Sequence, residues 1–202
     1  MSVINRQFFF DTVRVTLFGG SLKQSQVTGM TGFLDLWEGS FAANDDRWLA
    51  YILGTAHHEV DMRMQPIHEF GGNAYFFRMY DINGDRPQVA RRLGNLTPGD
   101  GVAFHGRGFV QLTGRSNYQD WKNRLGQDLI GNPDLALQLN IATEIIFRGM
   151  MLGTFTGKKL GDYFNATTDD WINARRIVNG LDKANLIAGY AKKYYAAISY
   201  TV

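Results

Sequence analysis

Two glutamates ten positions apart, Glu59 and Glu69, are the side chains in this sequence best suited to acid–base chemistry. Glutamate occurs only at Glu38, Glu59, Glu69 and Glu144, and every other carboxylate is an aspartate. Cleaving a glycosidic bond takes one protonated acid on the leaving oxygen and one carboxylate acting on water or on the sugar. The two can divide that work only if their surroundings differ. Glu59 ends an expected helix, where the negative end of the dipole favours the protonated form and makes it the better proton donor. Glu69 follows Pro66 and precedes Phe70-Gly71-Gly72, a polar setting that suits an ionised base. Spacing by itself more often marks two solvated surface glutamates, and Asp61 is a rival for the second role.

Other chemistries fare worse. In His57-His58-Glu59 the position four residues after His58 is Met62, so the helical zinc-protease motif fails. Only a gathering of His57, His58, His68 and His105 in space leaves a metal site open, and no metal or cofactor is expected. The absence of cysteine excludes thiol nucleophiles, thiolate zinc sites and disulfide frameworks. With 21 Lys+Arg against 19 Asp+Glu, the net charge of +2 gives no nucleic-acid footprint. Lys192 and Lys193, set among tyrosines, read as a solvated helix face. No run of about 18 apolar residues is present, so stable membrane insertion is not expected. The opening residues do not read as a secretory signal. Asp81-x-Asn83-Gly84-Asp85 has a calcium-loop look but lacks the terminal glutamate, and a turn is the better reading.

The elements that must carry these residues follow a simple pattern of helices, a glycine-rich insert, then helices. Asn44, Asp45 and Asp46 make an N-cap cluster. After it Trp48, Leu49, Ile52, Leu53 and Ala56 recur at helical spacing, predicting a helix to about Glu59. From Pro66 to Gly114 the chain is rich in Gly, Asn, Asp and Pro, predicting loops with short strands, Phe109–Thr113 being the most strand-like. Tyr75, Phe76, Phe77 and Tyr80 are expected mostly to pack beneath this segment. Asn132-Pro133 opens a helical stretch to about Leu152. Asp169 or Asp170 caps a helix ending near Asn179-Gly180, and a last helix spans about Ala184 to Ile198. A long irregular insert in a compact domain is usually functional.

Four words then stand in order: Ala56-His57-His58-Glu59; Met64-Gln65-Pro66-Ile67-His68-Glu69; Leu93-Gly94-Asn95-Leu96-Thr97-Pro98-Gly99-Asp100-Gly101; and Gly106-Arg107-Gly108-Phe109-Val110-Gln111-Leu112-Thr113-Gly114-Arg115-Ser116-Asn117-Tyr118. With Arg176-Ile177-Val178-Asn179-Gly180 they resemble glycoside hydrolase family 19, the chitinase family, and within it the short phage and bacterial endolysin branch. The resemblance covers about residues 40 to 195. It implies Glu59 as general acid and Glu69 as the base that activates water in an inverting displacement. It implies Thr113 as a hydroxyl that helps hold that water, with His58, Arg107, Gln111, Asn117, Tyr118 and Asn179 as further substrate contacts. Amides and hydroxyls suit N-acetyl and sugar groups because they read them by directed hydrogen bonds without adding charge. Arg107 has two open roles, orienting a carboxylate by bidentate pairing or pinning its own loop. The disulfides of the plant members are absent, and no arginine stands in Asn185–Tyr190 near the last helix.

The implied fold is mainly α (α+β, lysozyme-like), a single domain over residues 1–202 with two lobes, short strands in one of them, and Glu59 and Glu69 facing across a cleft. The implied function is that of an endolysin-type glycosidase cutting β-1,4 bonds in peptidoglycan. A chitinase and a metal-dependent cell-wall peptidase or amidase are the alternatives. A monomer is expected, held in the host bacterial cytoplasm until released to the cell wall.

Overall fold

In the computed structural model residues 3–200 are described, and helix dominates. In chain order the elements are α1 (Arg6–Thr16), α2 (Gln24–Leu36), α3 (Asp46–Glu59), β1 (Ile67–His68), α4 (Asn73–Tyr80), α5 (Pro87–Leu93), α6 (Asp100–Ala103), β2 (Arg107–Gly108), α7 (Arg115–Leu125), α8 (Leu139–Leu152) and α9 (Ala184–Ile198). Short 3-10 turns at Pro133–Leu137, Leu160–Asp162 and Asn173–Ile177 join the later elements. The chain divides into two compact units, one formed by residues 1–65 with 143–202 and the other by 66–142.

The discontinuous unit is organised by its helices. Asp45 caps α3 by accepting the Arg47 N–H, and from there Leu49 to His57 are all buried. An expected one-sided stripe is therefore a helix enclosed on all sides from Leu49 to His57. Its closest neighbour is α9, and Gly54 is the reason: a Cβ there would lie 2.8 Å from the Ala191 backbone nitrogen. Phe9 of α1 stacks on Tyr194 of α9, while Phe33, Trp37 and Phe41 surround Phe147 of α8. Burying such rings removes large apolar areas from water, roughly 1.5–3 kcal/mol for each side chain. His57 sits inside this core, its Nδ1 3.0 Å from the Tyr194 hydroxyl, and burial pushes its pKa down to about 4.

The unit of residues 66–142 departs from expectation. Three helices, α4 to α6, occupy a segment predicted as loops with short strands. Each is brief, and α6 is a single turn, so none offers the repeat length from which periodicity is read. The sheet is one antiparallel pair, Ile67 opposite Gly108 and His68 opposite Arg107. The predicted strand at Phe109–Thr113 is instead a tight reversal that returns Leu112 to hydrogen-bond Arg107 in both directions. Of the four aromatics expected beneath the segment, only Phe76 is buried, whereas Tyr75 and Phe77 are exposed and Tyr80 is half-buried.

Buried polar groups do much of the holding in this unit. The enclosed Asp81 carboxylate accepts the N–H groups of Asn83, Gly99 and Gly101. Buried Asn95 donates to the Tyr80 carbonyl and accepts from the Arg115 N–H. Asp100, also buried, takes Arg115 in a two-point ion pair. The Asp81 turn expected from the sequence is present, with Gly84 N–H bonded to the Asp81 carbonyl.

Candidate active site

Glu59 is the last residue of α3, where the helix period and the Asp45 cap put it. Its side chain is 20% exposed, and its Oε1 lies 2.5 Å from Nη1 of Arg175, whose own side chain is 4% exposed. Arg175 is held in turn, with Nε donating to the Asp182 carbonyl. Arg175 escaped the sequence reading, which looked for an arginine at Asn185–Tyr190. The signal was available in Arg175-Arg176, directly ahead of Ile177-Val178-Asn179-Gly180. Its burial makes the ion pair strongly coupled, because removing either partner strands a charge away from water.

Glu69 is half-buried and anchored at both oxygens. Its backbone N–H donates to the Gly106 carbonyl, extending the β1–β2 pairing. Oε1 accepts the Tyr80 hydroxyl at 2.6 Å, and Oε2 accepts the Gly106 N–H at 3.0 Å. A Cβ on Gly106 would lie 2.8 Å from Gln111 Oε1 and 3.0 Å from Glu69 Oε2 and would push both side-chain ends aside. The first glycine of the Gly-Arg-Gly word thus lets Glu69 and Gln111 converge on one backbone position.

Next to Glu69, His68 and His105 share a hydrogen bond of 3.1 Å between Nδ1 and Nε2, and His105 Nδ1 lies 2.7 Å from the Val102 carbonyl. Only a donor can face a carbonyl, so His105 carries its proton on Nδ1 and accepts on Nε2. Phe76 stacks parallel on His105 at 4.1 Å, and burial lowers the pKa of that histidine. Among the described residues no group of three or more His, Asp or Glu is arranged to hold a metal ion. Phe70, directly after Glu69, is 73% exposed.

The remaining predicted residues divide clearly. Gln111 is half-buried at φ 54°, its amide donating to the Ile67 and Gly108 carbonyls. Thr113 donates its hydroxyl to the Gln111 carbonyl, and exposed Asn117 donates its amide to the Thr113 carbonyl. These three form a chain of polar groups, and Gln111 at its start shares the Gly106 backbone position with Glu69. Asn179 is exposed and its N–H is bonded to the Arg175 carbonyl, while His58 is half-buried in the last turn of α3. Two expectations are corrected. Tyr118 is fully buried, donating to the His105 carbonyl, and has no surface to offer a substrate. Arg107 is buried as well and pins its own loop, with Nε on Asp134 and Nη1 on the Ala103 and His105 carbonyls and the Tyr118 hydroxyl. A guanidinium with that many acceptors is committed to the framework. Asp61, the rival carboxylate, is exposed in the turn after α3 at φ 49°.

Comparison with known proteins follows the same lines. The glycoside hydrolase family 19 model, described as chitinase class I, matches residues 29–152. Chitinase 8 of Oryza sativa subsp. japonica is 66% identical over 32 residues, which are 16% of this chain and 12% of that protein. A family 19 domain-containing protein of Haemophilus influenzae is 41% identical over 56 residues, 24% of this chain and 28% of that protein. The matched stretches therefore span well under two thirds of these relatives. Among solved structures, chitinase C from Streptomyces griseus HUT6037 superposes with a TM-score of 0.63 at 19% identity, covering 98% of this chain and 78% of that one. A bacterial family 19 chitinase gives a TM-score of 0.55 at 18% identity, covering 98% and 95%. At such identities the likeness is one of fold, the mainly helical lysozyme-like architecture.

Proposed function

The chain belongs to glycoside hydrolase family 19, and from that premise we propose that it hydrolyses β-1,4 bonds of peptidoglycan glycan strands by general acid/base catalysis with inversion. The observation that carries this is the unlike setting of the two carboxylates. Glu59 is fixed at Oε1 by Arg175, and Oε2 is the oxygen assigned to donate the proton to the glycosidic oxygen. Glu69 accepts a donor at each oxygen, so it is held as an acceptor, with lone pairs remaining to take a proton from the attacking water. The chain needs no cofactor for this. Gln111, Thr113 and Asn117 lie next in the same polar chain and supply directed contacts for water, N-acetyl and hydroxyl groups.

Peptidoglycan is favoured by the likeness of the motif words to the endolysin branch, by the small size of the chain and by the absence of cysteine. Such an enzyme works as a monomer and waits in the host cytoplasm until the membrane opens to the wall. Chitin is the second reading, supported by the names of the rice and Streptomyces relatives.

Mass spectrometry of fragments from purified sacculi and from chitin oligomers tests both readings together. New reducing ends from sacculi, with an inverted anomer, are the expected product. Fragments from chitin alone transfer the proposal to the second reading, and new amino groups in place of reducing ends make the protein a peptidase. Glu59→Gln and Glu69→Gln should each lower kcat by about 10²–10⁴-fold, the usual worth of a positioned acid or base. Activity is read per folded molecule by circular dichroism, because Glu59→Gln also leaves the buried Arg175 charge without its partner. Wild-type turnover by either variant removes that residue from its role.

A further inference from the structure

The sequence marks Tyr80 only as one of four aromatics expected mostly to pack, yet its phenol makes the shortest contact to Glu69, 2.6 Å at Oε1. We propose that Tyr80 is a positioning residue for Glu69, and that the buried polar cluster of Asp81, Asn95 and Asp100 exists to hold it there. This rests on Glu69 serving as the base.

Tyr80 is the last residue of α4, an eight-residue helix with a mostly exposed surface. So short a helix does not fix the angle of its last side chain by itself. The neighbouring word supplies the restraint. Asn95 holds the Tyr80 carbonyl, and the Asp81 carboxylate, one residue on, gathers the N–H groups of Gly99 and Gly101. Asp100 fastens that turn to Arg115, and Arg115 N–H returns to Asn95. The network closes on itself around the Tyr80 backbone. Leu93–Gly101 therefore acts on the site at one remove, through the phenol.

At Glu69 the consequence is geometric. A carboxylate on a flexible stem can rotate about its last torsion. Tyr80 on Oε1 and Gly106 N–H on Oε2 fix the carboxylate plane from two sides, leaving its remaining lone pairs in set directions for a water. Burial and the neighbouring Glu69 keep the phenol protonated well above its ordinary range, so Tyr80 remains the donor. Removing that donor frees the plane and takes away a hydrogen bond to the ionised form.

Tyr80→Phe keeps the ring and deletes only the hydroxyl, and kcat and KM are to be measured across pH on the substrate that the fragment analysis identifies. We expect kcat to fall about tenfold to a hundredfold with KM nearly unchanged. The acidic limb of kcat/KM should move up by about 1 pH unit, the effect of one lost charge-assisted hydrogen bond. Tyr75 is hydrogen-bonded to the Tyr80 side chain and loses that partner with the hydroxyl, so Tyr75→Phe is the control and should leave the limb in place. His68, His105, Arg107 and Tyr118, the other titratable or charged groups on the surrounding elements, are untouched by the substitution. Because acid destabilises the fold through His57 and His105, the folded fraction is read by circular dichroism at each pH and activity is expressed per folded molecule, so a limb that still moves reports positioning. An unmoved limb overturns the proposal. Glu69→Gln separates the two layers: if it stays active, the base assignment fails. If it is inactive while Tyr80→Phe behaves as wild type, only the positioning role falls.

Discussion

The two units hold their candidate carboxylates by different physics. In residues 1–65 with 143–202, Glu59 extends from a helix enclosed by apolar side chains and meets one buried cation. In residues 66–142, Glu69 stands on a two-residue strand, and the surrounding order comes from buried Asp81, Asn95, Asp100 and Arg107, each with its hydrogen bonds satisfied. A helix long enough to bury a core fixes its last residue through many weak contacts. A segment of short elements fixes its site through a few strong, directional ones. The first arrangement should fail gradually, the second at single residues.

The largest test falls on the polar unit. Asp81→Ala removes the acceptor of three N–H groups in a water-free position, and a loss of about 4 kcal/mol is expected in urea titration. Hydrogen exchange should localise the loosening to residues 66–142. Uniform loss across the chain would remove the distinction between the units.

Next in size is Leu53→Ala in the centre of α3, where a cavity among well-packed neighbours should cost about 3 kcal/mol. Because the loss is one of packing, exchange protection should decline across α3 and α9, and Glu59 should keep its place at the helix end. Protection lost in residues 66–142 instead would show that this unit does not bear its own load.

The smallest effect is a pH dependence. His57 is buried neutral, with its pKa lowered to about 4 against about 6.5 unfolded. Below pH 6.5 the unfolded chain takes up a proton that the folded chain refuses until about pH 4. Stability therefore falls as pH drops through that window and is fully present above it. Between pH 6.5 and 5 the loss from this group is about 2 kcal/mol. His57→Phe should flatten that part of the slope, and an unchanged slope would assign it elsewhere. His105, also lowered by burial, contributes in the same direction from the other unit.

Legibility in the sequence tracked the same division. Helix α3, its cap at Asp45 and its end at Glu59 were readable, as was α9, because a repeat of 3.6 residues needs only length to show itself. The helices of the insert were not, since seven or eight residues give barely two turns of pattern. Asn95, Asp100 and Arg107 could be read as members of a motif, but a motif does not say which members touch the substrate. Arg107 and Tyr118 sit in the most specific word of the chain and are framework.

Sequence by itself determined the chemical types: two glutamates within the motif words, no thiol, amides and a hydroxyl spaced along one motif word, and a family that unites them. Only the tertiary structure decided the partners. Arg175 lies 116 positions from Glu59, and Tyr80 reaches Glu69 because Asn95 and Asp81 set the end of its helix. The physical reason is range. Helix periodicity and capping act over a few residues and are written locally, whereas ion pairs and buried hydrogen bonds join residues that only folding brings within reach.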